Sequence, residues 1–544
     1  MKKIPRIISA SAAALMLFGC SANNNSSFES DSAINPTEHT TGAISASTNT
    51  EESISNVLPV LYIETKSKDA NVLDFITKPV AGHVSAAIAS WTPNYKIPPE
   101  PYYEDCTISL RNKDGEVMLD SAEAKVKVRG NWTTLYDKKP LKIKFSEKQS
   151  MLGLNNGAEQ KSWLLLAEYK DASMLRNKAA LYASREILGK DGLYAADTDF
   201  VQVVINGEYL GLYLLSDTQQ VSSQRVKITE PEKDYTGTDI GYFMEYDGYF
   251  ESEDELHKFS LDLAGNAPLT AFDGSDKGQK MRALPATKME HKKPVGMTIK
   301  SDIYSQEQHD FIENFVNNTY QIMYEAAYND KAFVFDADYK NISETTDITP
   351  QQAVENVVDV QSLVDMYIIS ELTCDADIYW SSFYMDADFG ADGKKKLTFE
   401  APWDFDSSMG NKDRCIDGEG FYASNVVPDV DGGSKFGGYD TINPWLVILA
   451  HQDWYQDMIK ETWTKAYDRG VFERTCKLIS DDSSTLQTDF EKNYKKWNNI
   501  KNNTPFVNEL SEPARKCKTE KEAADFLLDW LNSRIEFLNE QWHN

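Results

Sequence analysis

Alternating apolar and polar residues mark the chain after residue 56 as strand-rich at its start. Short runs at Leu58–Ile63, Cys106–Leu110 and Ala124–Val128 are separated by Asp, Asn, Gly and Pro, which predicts strands joined by turns. In Ala124–Val128, Lys125 and Lys127 lie on the opposite face of the strand from Val126 and Val128. Pro140–Phe145 repeats this alternation. We expect these two strands to pair as a ribbon with one basic face.

The hydrophobic period then changes from two to that of a helix. Met174–Leu188 has helical spacing, and Gly189 follows it where a glycine suits a helix C-terminus. Two alternating runs, Phe200–Ile205 and Tyr209–Leu215, flank Asn206-Gly207. This dipeptide between two alternating runs is typical of a two-residue β-hairpin.

Longer elements follow along the second half of the chain. A further strand is expected at Gly241–Asp247, whereas residues 250–295 are polar and irregular, as in an insertion. Helical spacing recurs at Ser305–Ala327 and Val360–Leu372, and apolar residues keep that spacing from residue 445 to residue 543. The mixture of a strand-rich start and a helical end predicts an α+β fold class.

Chain length indicates one large domain with a helical extension, or two domains. The favoured division gives residues 57–440 to one domain with a β-rich start at residues 57–145. Residues 441–544 then form a helical C-terminal region of the same domain.

The N-terminal sequence predicts an export signal. Lys2, Lys3 and Arg6 precede an apolar stretch that ends in Leu-Phe-Gly-Cys at Cys20, which predicts a signal peptide over residues 1–20. The ending resembles the lipobox of bacterial lipoproteins, which implies lipidation of Cys20 and an extracytoplasmic protein anchored to the cell membrane. An ordinary secretory signal that contains a cysteine is the alternative. Residues 21–56 are rich in Ser, Asn and Thr and predict a disordered tether.

Composition narrows the range of partners. The formal net charge of −29 argues against nucleic acid, because little positive charge is available to neutralise phosphates. The chain has no Cys-x-x-Cys pair, so a zinc site is not expected. Cys374 and Cys415 flank an acidic stretch, where they form either a disulfide or buried thiols.

Candidate chemistry is concentrated in residues 375–410, which predict a loop, a strand, a glycine-rich turn, a second strand and a second loop. Asp377 lies in the first loop, and Asp404 and Asp406 lie in the second. Phosphoryl transfer needs one carboxylate to orient the attacking hydroxyl and another to hold Mg²⁺, with a cation on the nucleotide phosphates. Two acidic loops joined by a strand pair can supply both carboxylates.

Seven sequence blocks, in this order, resemble successive motifs of the spore-coat protein H (CotH) kinase family. They are Arg129-Gly130-Asn131, Lys138–Phe145, Trp163–Ala167, Leu175-Arg176-Asn177, Val203–Leu215, Gly241–Glu245 and Asp377–Asp406. The resemblance spans residues 57 to about 540 and implies an atypical protein-kinase-like fold. It further implies use of ATP and Mg²⁺ to phosphorylate Ser or Thr of a surface or coat protein.

Site roles follow from the same resemblance. Asp377 is expected to be the catalytic aspartate, and Asp404 with Asp406 the metal ligands. Lys142 is favoured to hold phosphates, with Lys144 on the same strand face. Ser382 occupies the position where protein kinases place a metal-binding asparagine.

Two further residues are assigned to the nucleotide side of the expected site. Arg129 is expected to steady the phosphates, and Glu245 to give polar support inside the cleft.

Alternatives to catalysis stay open for each of these residues. Asp404 and Asp406 also suit loop caps or a structural calcium site, and the lysines suit a solvated strand face. A kinase-like fold without catalysis would serve as a binding or scaffold protein for surface or cell-wall material. Transfer of a nucleotidyl group to a small molecule or glycan would use the same residues.

Overall fold

The computed structural model describes residues 57–67, 73–82, 85–86, 89, 94–274, 280–282, 295–375, 377–412, 416–425, 443–498, 500 and 510–543. The expected signal peptide, tether and lipidated Cys20 lie outside these residues, as do Cys415 and the expected boundary at residue 440. Strands dominate the chain up to residue 216 and helices the part from residue 444 onward. The prediction of a mixed fold with a β-rich start and a helical end is therefore confirmed.

Strands in the first part of the described chain close into a barrel. The barrel order is β1-β2-β3-β4-β5-β7-β6, and a parallel pairing of β1 with β6 closes it. All other neighbours in the barrel pair antiparallel. The strands are β1 (Val60–Thr65), β2 (Glu104–Arg111), β3 (Val117–Val128), β4 (Leu141–Gln149), β5 (Gln160–Leu166), β6 (Thr198–Ile205) and β7 (Glu208–Ser216).

Strict alternation on β4 explains how the barrel is filled. Leu141, Ile143 and Phe145 are buried in the barrel core, whereas Lys142 and Lys144 between them point to the other face. The predicted basic ribbon is confirmed, because β3 places Lys127 opposite Lys142 and Lys125 opposite Lys144. Other members of the barrel core are Leu61, Ile108, Val126, Trp163, Val203 and Leu215.

The hairpin between β6 and β7 confirms the prediction from Asn206-Gly207. Asn206 has φ 49° and Gly207 has φ 80°, so both central residues occupy the left-handed region that a tight primed turn requires. The turn also anchors β1, because Asn206 Oδ1 accepts a hydrogen bond from Thr65 N at 2.9 Å.

Helix α1 (Arg176–Leu188) ends at the predicted residue, but the chain stays right-handed for one further turn. Gly189 was expected as the C-terminal glycine, but its φ of −63° is right-handed and the chain continues into a 3₁₀ turn, Gly189–Asp191. The terminating glycine is Gly192 at φ 74°. Its N–H bonds Gly189 O at 3.2 Å and Leu193 N bonds Leu188 O at 3.2 Å, the paired bonds of a Schellman motif.

A second sheet follows the barrel in sequence. Its order is β16-β15-β8-β12-β9, with antiparallel neighbours throughout. Its strands are β8 (Gly241–Asp247), β9 (Lys258–Ser260), β12 (Gly296–Ile299), β15 (Phe383–Asp388) and β16 (Leu397–Phe399). Two small ribbons pair β10 (Pro268–Thr270) with β11 (Lys280–Arg282) and β13 (Ala332–Phe335) with β14 (Ile342–Thr345).

Helices cover the second sheet and return to the barrel. The longer ones are α2 (Gln306–Asn329), α3 (Pro350–Val357), α4 (Val360–Thr373), α5 (Asp453–Asp468), α6 (Val471–Thr485), α7 (Gln487–Trp497) and α8 (Glu520–Trp542). Short helices lie at Asp74–Thr77, Leu154–Gly157, Leu263–Asn266, Pro444–Val447 and Glu512–Lys516. In the described part of the chain, no helix combines the length and the apolar character needed to cross a bilayer.

Helix α7 connects the C-terminal region to the barrel wall. Asn493 Oδ1 accepts a hydrogen bond from Leu212 N at 3.2 Å, and Trp497 Nε1 donates to Leu210 O at 2.8 Å. Gly211 between these two residues has φ 145°, and a Cβ there would lie 2.8 Å from Trp497 Nε1. The absence of a side chain at Gly211 therefore allows the helix to approach the strand closely.

Replacement of Ile143 by alanine tests the barrel core. The side chain is fully buried, so we expect Ile143→Ala to lower the free energy of unfolding by about 2–5 kcal/mol through lost burial and a cavity. The measurement is urea unfolding. Lys144→Ala, one residue along on the exposed face, is the matched control and should change stability by less than about 0.5 kcal/mol. Equal losses in the two variants would contradict the inward orientation of Ile143.

Candidate active site

The loop after β16 carries Asp404 and Asp406 into the junction between the barrel and α1. Asp404 has φ 70°, and the 3₁₀ turn Phe405–Ser407 follows it directly. Asn177 in the first turn of α1 fixes this turn, because its Oδ1 accepts a hydrogen bond from Phe405 N at 2.8 Å. Its Nδ2 donates to both carboxylate oxygens of Glu168, at 3.0 and 3.1 Å. One amide therefore joins α1, the end of β5 and the acidic loop.

Lys170 is the cation that pairs directly with this loop. Its Nζ lies 3.1 Å from Asp406 Oδ1 and 2.5 Å from Ser407 Oγ, and both charged side chains are largely buried. A buried pair of this kind is held in one geometry far better than a surface pair. Lys170 therefore fixes the direction of the Asp406 carboxylate.

The loop after α4 carries the other two acidic residues. Cys374 ends the helix in the left-handed region at φ 45°, and Asp375 Oδ1 accepts a hydrogen bond from Asp377 N at 3.0 Å. The backbone oxygen of Asp377 accepts bonds from Trp380 N at 2.8 Å and Ser381 N at 2.9 Å. The bonds to the backbone oxygen of Asp377 make residues 377–381 a tight turn rather than an open loop.

Electrostatic interactions show that the two acidic loops face each other. Burial, together with repulsion by Asp406 and Asp377, raises the pKa of Asp404 to about 7. Burial raises the pKa of Asp375 well above its ordinary value, and Asp377, Asp404 and Asp406 add to the rise. The predicted residues Asp377, Asp404 and Asp406 are thus brought together, with Asp375 as a fourth carboxylate.

Arg129 stands on the barrel side of this acidic cluster. It follows the last residue of β3, and its backbone N–H bonds Pro140 O at 3.0 Å. Burial lowers the pKa of its guanidinium, while the opposing influence of Asp404 shows that the two charges are neighbours. A cavity of about 40 Å³ lies here, lined among others by Arg129, Tyr136, Glu168, Trp403 and Asp404.

Glu245 and Ser382 meet on the second sheet, beside Asp377. Glu245 Oε1 accepts a hydrogen bond from the backbone N–H of Ser382 at 2.9 Å, and its Oε2 pairs with Lys300 Nζ at 2.7 Å. Ser382 has φ 63°, so the chain turns sharply at this point. Glu245 therefore holds the backbone that leaves the Asp377 loop, and Lys300 holds Glu245.

Tyr384 links this corner to the rest of the cluster. Burial raises the pKa of its phenol well above the ordinary value, and the charges that add to the rise include Glu245, Asp247 and Asp404, whereas Arg129 opposes it. The phenol is therefore surrounded by charges from both acidic sides of the site.

The two lysines expected to hold phosphates differ in position. Lys142 is partly buried, and burial lowers its pKa, followed by repulsion from Lys127, Arg129 and Lys144. Lys144 is exposed and lies two residues further along β4, about 7 Å away. Only Lys142 lies beside Arg129, and Lys144 forms the outer part of the same basic face.

Sequence reasoning did not assign a role to Glu168, Lys170, Asn177 or Lys300. The sequence held one indication of their importance, because the apolar strand β5 is followed closely by Glu168, Lys170 and Asp171. Charged residues are rarely buried next to such a strand. Lys138 is a further buried cation, whose pKa burial lowers to about 7. Its Nζ donates to Ala167 O at 2.8 Å, so it supports the wall of the cleft.

The donor types suit a hard divalent cation, because Mg²⁺ prefers carboxylate oxygens. Asp375, Asp377, Asp404 and Asp406 interact electrostatically, but in the described part of the chain their oxygens are not among the groups whose ligand atoms all lie within 4.8 Å of one another. Burial raises the pKa values of Asp375 and Asp404, and repulsion by the neighbouring carboxylates adds to the rise. A bound divalent cation would relieve this repulsion.

Among the described residues, His309, Asp310 and Glu313 on α2 form a group of potential metal ligands whose ligand atoms all lie within 4.8 Å of one another. This group does not include any of the acidic residues Asp375, Asp377, Asp404 and Asp406, so it is separate from the acidic cluster.

A family comparison covers the same region. The model of the family described as CotH kinase protein matches residues 126–538 of the chain, which include the acidic cluster, Arg129 and α8 as far as residue 538. The resemblance inferred from the sequence motifs is thereby confirmed. No curated protein matches the chain.

Replacement of Asp404 by asparagine tests the raised pKa of this residue. A pKa of about 7 in the folded state against 3.8 means that the folded protein keeps this proton between about pH 4 and pH 7. Stability therefore falls as the pH rises through that window. We expect Asp404→Asn to be more stable than the wild type by about 1 kcal/mol or more at pH 7.5, and by much less at pH 4.5.

The measurement is urea unfolding at the two pH values without divalent cations. Asp392→Asn is the control, since Asp392 is an exposed carboxylate on the turn between β15 and β16. A difference between Asp404→Asn and the wild type that does not change with pH would contradict the raised pKa of Asp404.

Proposed function

Because the chain belongs to the CotH kinase protein family, we propose that it is a protein kinase that transfers phosphate from ATP to Ser or Thr of a protein. The observation that carries the proposal is the meeting of four carboxylates, Asp375, Asp377, Asp404 and Asp406, with Arg129 at the end of the barrel. Phosphoryl transfer depends on such placed charges more than on covalent chemistry.

Each charged group has a role in this proposal. Asp404 and Asp406 hold Mg²⁺, which neutralises charge on the phosphates when it is bound. Asp377 orients the acceptor hydroxyl and takes its proton. Arg129 and Lys142 attract the phosphates from the barrel side, with Lys144 further out along the strand.

The proposal includes a kinase-like division of the fold. The barrel supplies the cationic side, and the second sheet with its helices supplies the acidic loops. A cleft between two such bodies is the usual place for a nucleotide. The support is the position of Arg129 and Asp404 on its two sides.

The cleft is narrow in the structure described here. A volume of about 40 Å³ accommodates roughly three water molecules, whereas pockets for ligands of nucleotide size measure about 300–1,000 Å³. ATP would therefore require the barrel and the second sheet to separate. Trp403 and Tyr136 are among the side chains that line the cavity.

We further propose an extracytoplasmic location. The support is the N-terminal sequence, in which Cys20 ends a signal-peptide pattern and residues 21–56 have the polar composition expected of a tether. A lipid on Cys20 would anchor the protein to the membrane. Its protein substrate would then be a Ser/Thr-rich surface or coat protein.

A binding or scaffold role without catalysis is the second candidate function. Ser382 favours it, because serine is a poorer magnesium ligand than the asparagine of protein kinases and its backbone N–H is bonded to Glu245. In this case the partner is surface or cell-wall material. The chain would keep the fold and lose phosphate transfer.

Nucleotide binding is tested by thermal unfolding. We expect ATP with Mg²⁺ to raise the melting temperature of the wild type, because a ligand that binds only the folded state adds about 2.7 kcal/mol at 100 times its dissociation constant. Asp404→Ala should remove the shift, and Asp392→Ala should keep it. No shift in the wild type with any nucleotide would count against the kinase proposal.

Catalysis is tested with Asp377→Asn. This variant keeps the shape of the side chain but not its basicity, so we expect transfer from ATP to fall about 10²–10⁴-fold while the thermal shift with ATP and Mg²⁺ persists. Mass spectrometry of the products separates phosphate transfer from nucleotidyl transfer. Unchanged transfer in Asp377→Asn would exclude Asp377 as the base, and no transfer in the wild type would favour the scaffold.

A further inference from the structure

Arg534 on the C-terminal helix α8 is fully buried and contacts two separate segments of the site region. Its Nε donates to Glu371 O at 2.7 Å and its Nη2 to Glu371 Oε2 at 2.6 Å. Its Nη1 donates to Gly418 O at 3.0 Å and also to Gly420 O. One guanidinium therefore ties the last turn of α4 to the segment that follows the Asp404 loop.

The carboxylate of Glu371 completes this arrangement. Its Oε2 accepts a hydrogen bond from Tyr422 N at 2.7 Å, and its Oε1 accepts bonds from Ala423 N at 2.9 Å and Ser424 N at 3.3 Å. Both charged side chains have no solvent exposure. Arg534 and Glu371 therefore bond each other and the surrounding backbone, and the Ser424 hydroxyl also donates to Glu371 Oε1 at 3.4 Å.

The ion pair lies at the junction of the two acidic loops. Glu371 precedes Asp375 by one helical turn, and residues 416–425 follow the loop that carries Asp406. Tyr379, two residues after Asp377, donates its hydroxyl to Tyr422 O at 2.8 Å. A shift of residues 418–424 would therefore reach the Asp377 loop directly.

Stability alone does not account for a charged pair at this place. Two charges removed from water lose their hydration, and apolar residues of similar volume often replace a buried ion pair without loss of stability. The surroundings are aromatic, with Phe421 against Phe537 and Trp542 at 5.6 and 5.7 Å between ring centroids. An apolar pair would suit them, but it would not bond six backbone groups.

We propose that Arg534, through Glu371, is a positioning residue that holds residues 418–424 against the Asp377 loop and so shapes the acceptor side of the site. The inference rests on the proposed kinase function. Residues 418–424 contact the Asp377 loop, whereas the cationic groups Arg129 and Lys142 stand on the barrel. Loss of the pair should therefore impair use of the acceptor and leave nucleotide binding intact.

The test compares a conservative variant with an apolar replacement of the pair. Arg534→Lys keeps the charge but loses the planar fork, and the double variant Glu371→Leu/Arg534→Met keeps volume without charge. The exposed ion pair between Arg474 and Glu186 gives the matched control, Glu186→Leu/Arg474→Met. The probes are ATP with Mg²⁺ and dephosphorylated casein as a Ser-rich acceptor.

We expect kcat/KM for casein to fall about 10–100-fold in the double variant, since small misplacements of reacting groups have effects of this size. The KM for ATP and the thermal shift with ATP should stay within about threefold of the wild type, and Arg534→Lys should recover part of the loss. Equal changes for ATP and casein, or wild-type kinetics in a folded double variant, would overturn the inference.

Hydrogen exchange separates failure of this inference from failure of the proposed function. We expect the amides of Trp380, Ser381 and residues 422–424 to exchange faster in the double variant, with amides of the barrel unchanged. If the wild type transfers no phosphate, the kinase proposal fails, and exchange alone decides the positioning role. Unchanged exchange at these amides would then overturn it.

Discussion

Repulsion among carboxylates held in one cleft is the constraint on which the rest of the structure depends. Burial raises the pKa values of Asp375 and Asp404, and repulsion by the neighbouring carboxylates, Asp377 and Asp406 among them, adds to the rise. Such a group stays together only if the backbone on both sides is fixed independently of it. The buried cation Lys170 and the amide of Asn177 provide part of that support.

Strained backbone conformations in the two acidic loops show that further contacts hold the chain in place there. Cys374, Ser382, Ala401, Asp404 and Met409 all have positive φ, between 45° and 70°, although none is a glycine. Each such residue costs about 1–2 kcal/mol relative to ordinary conformations. Their concentration in the two acidic loops shows that surrounding contacts, rather than local preference, determine the path of the chain there.

The sequence predicted the features that depend on near neighbours. Alternation at residues 140–145 indicated a strand with a basic face, and Asn206-Gly207 indicated the hairpin, because both signals are local. Helix α3 was missed although Thr349, Pro350 and Gln352 form a capping box with proline at the first turn. The helix has only eight residues, so its apolar period was too short to recognise.

The candidate site was predictable only in part for the same reason. Two acidic loops joined by a strand pair are visible in sequence, and so are Asp377 and Asp404. Lys170 meets Asp406 across 236 positions, and Asn177 meets Phe405 across 228, so no local pattern could show these contacts. The phosphate-binding roles of Lys142 and Lys144 remain predictions, although the structure shows that their strand β4 pairs with β3.

Closure of the barrel has a consequence for the order of folding. The parallel pairing of β1 with β6 joins Val60 to Gln202, so the barrel remains an open sheet until more than a hundred residues have been synthesised after its first strand. Contacts so distant in sequence form slowly, because the loop entropy is lost before the pairing compensates for it. During that interval one edge of β1 exposes unpaired backbone groups, and edges of this kind invite association with other chains. A nascent chain of this protein therefore depends on shielding of its first strand until β6 arrives.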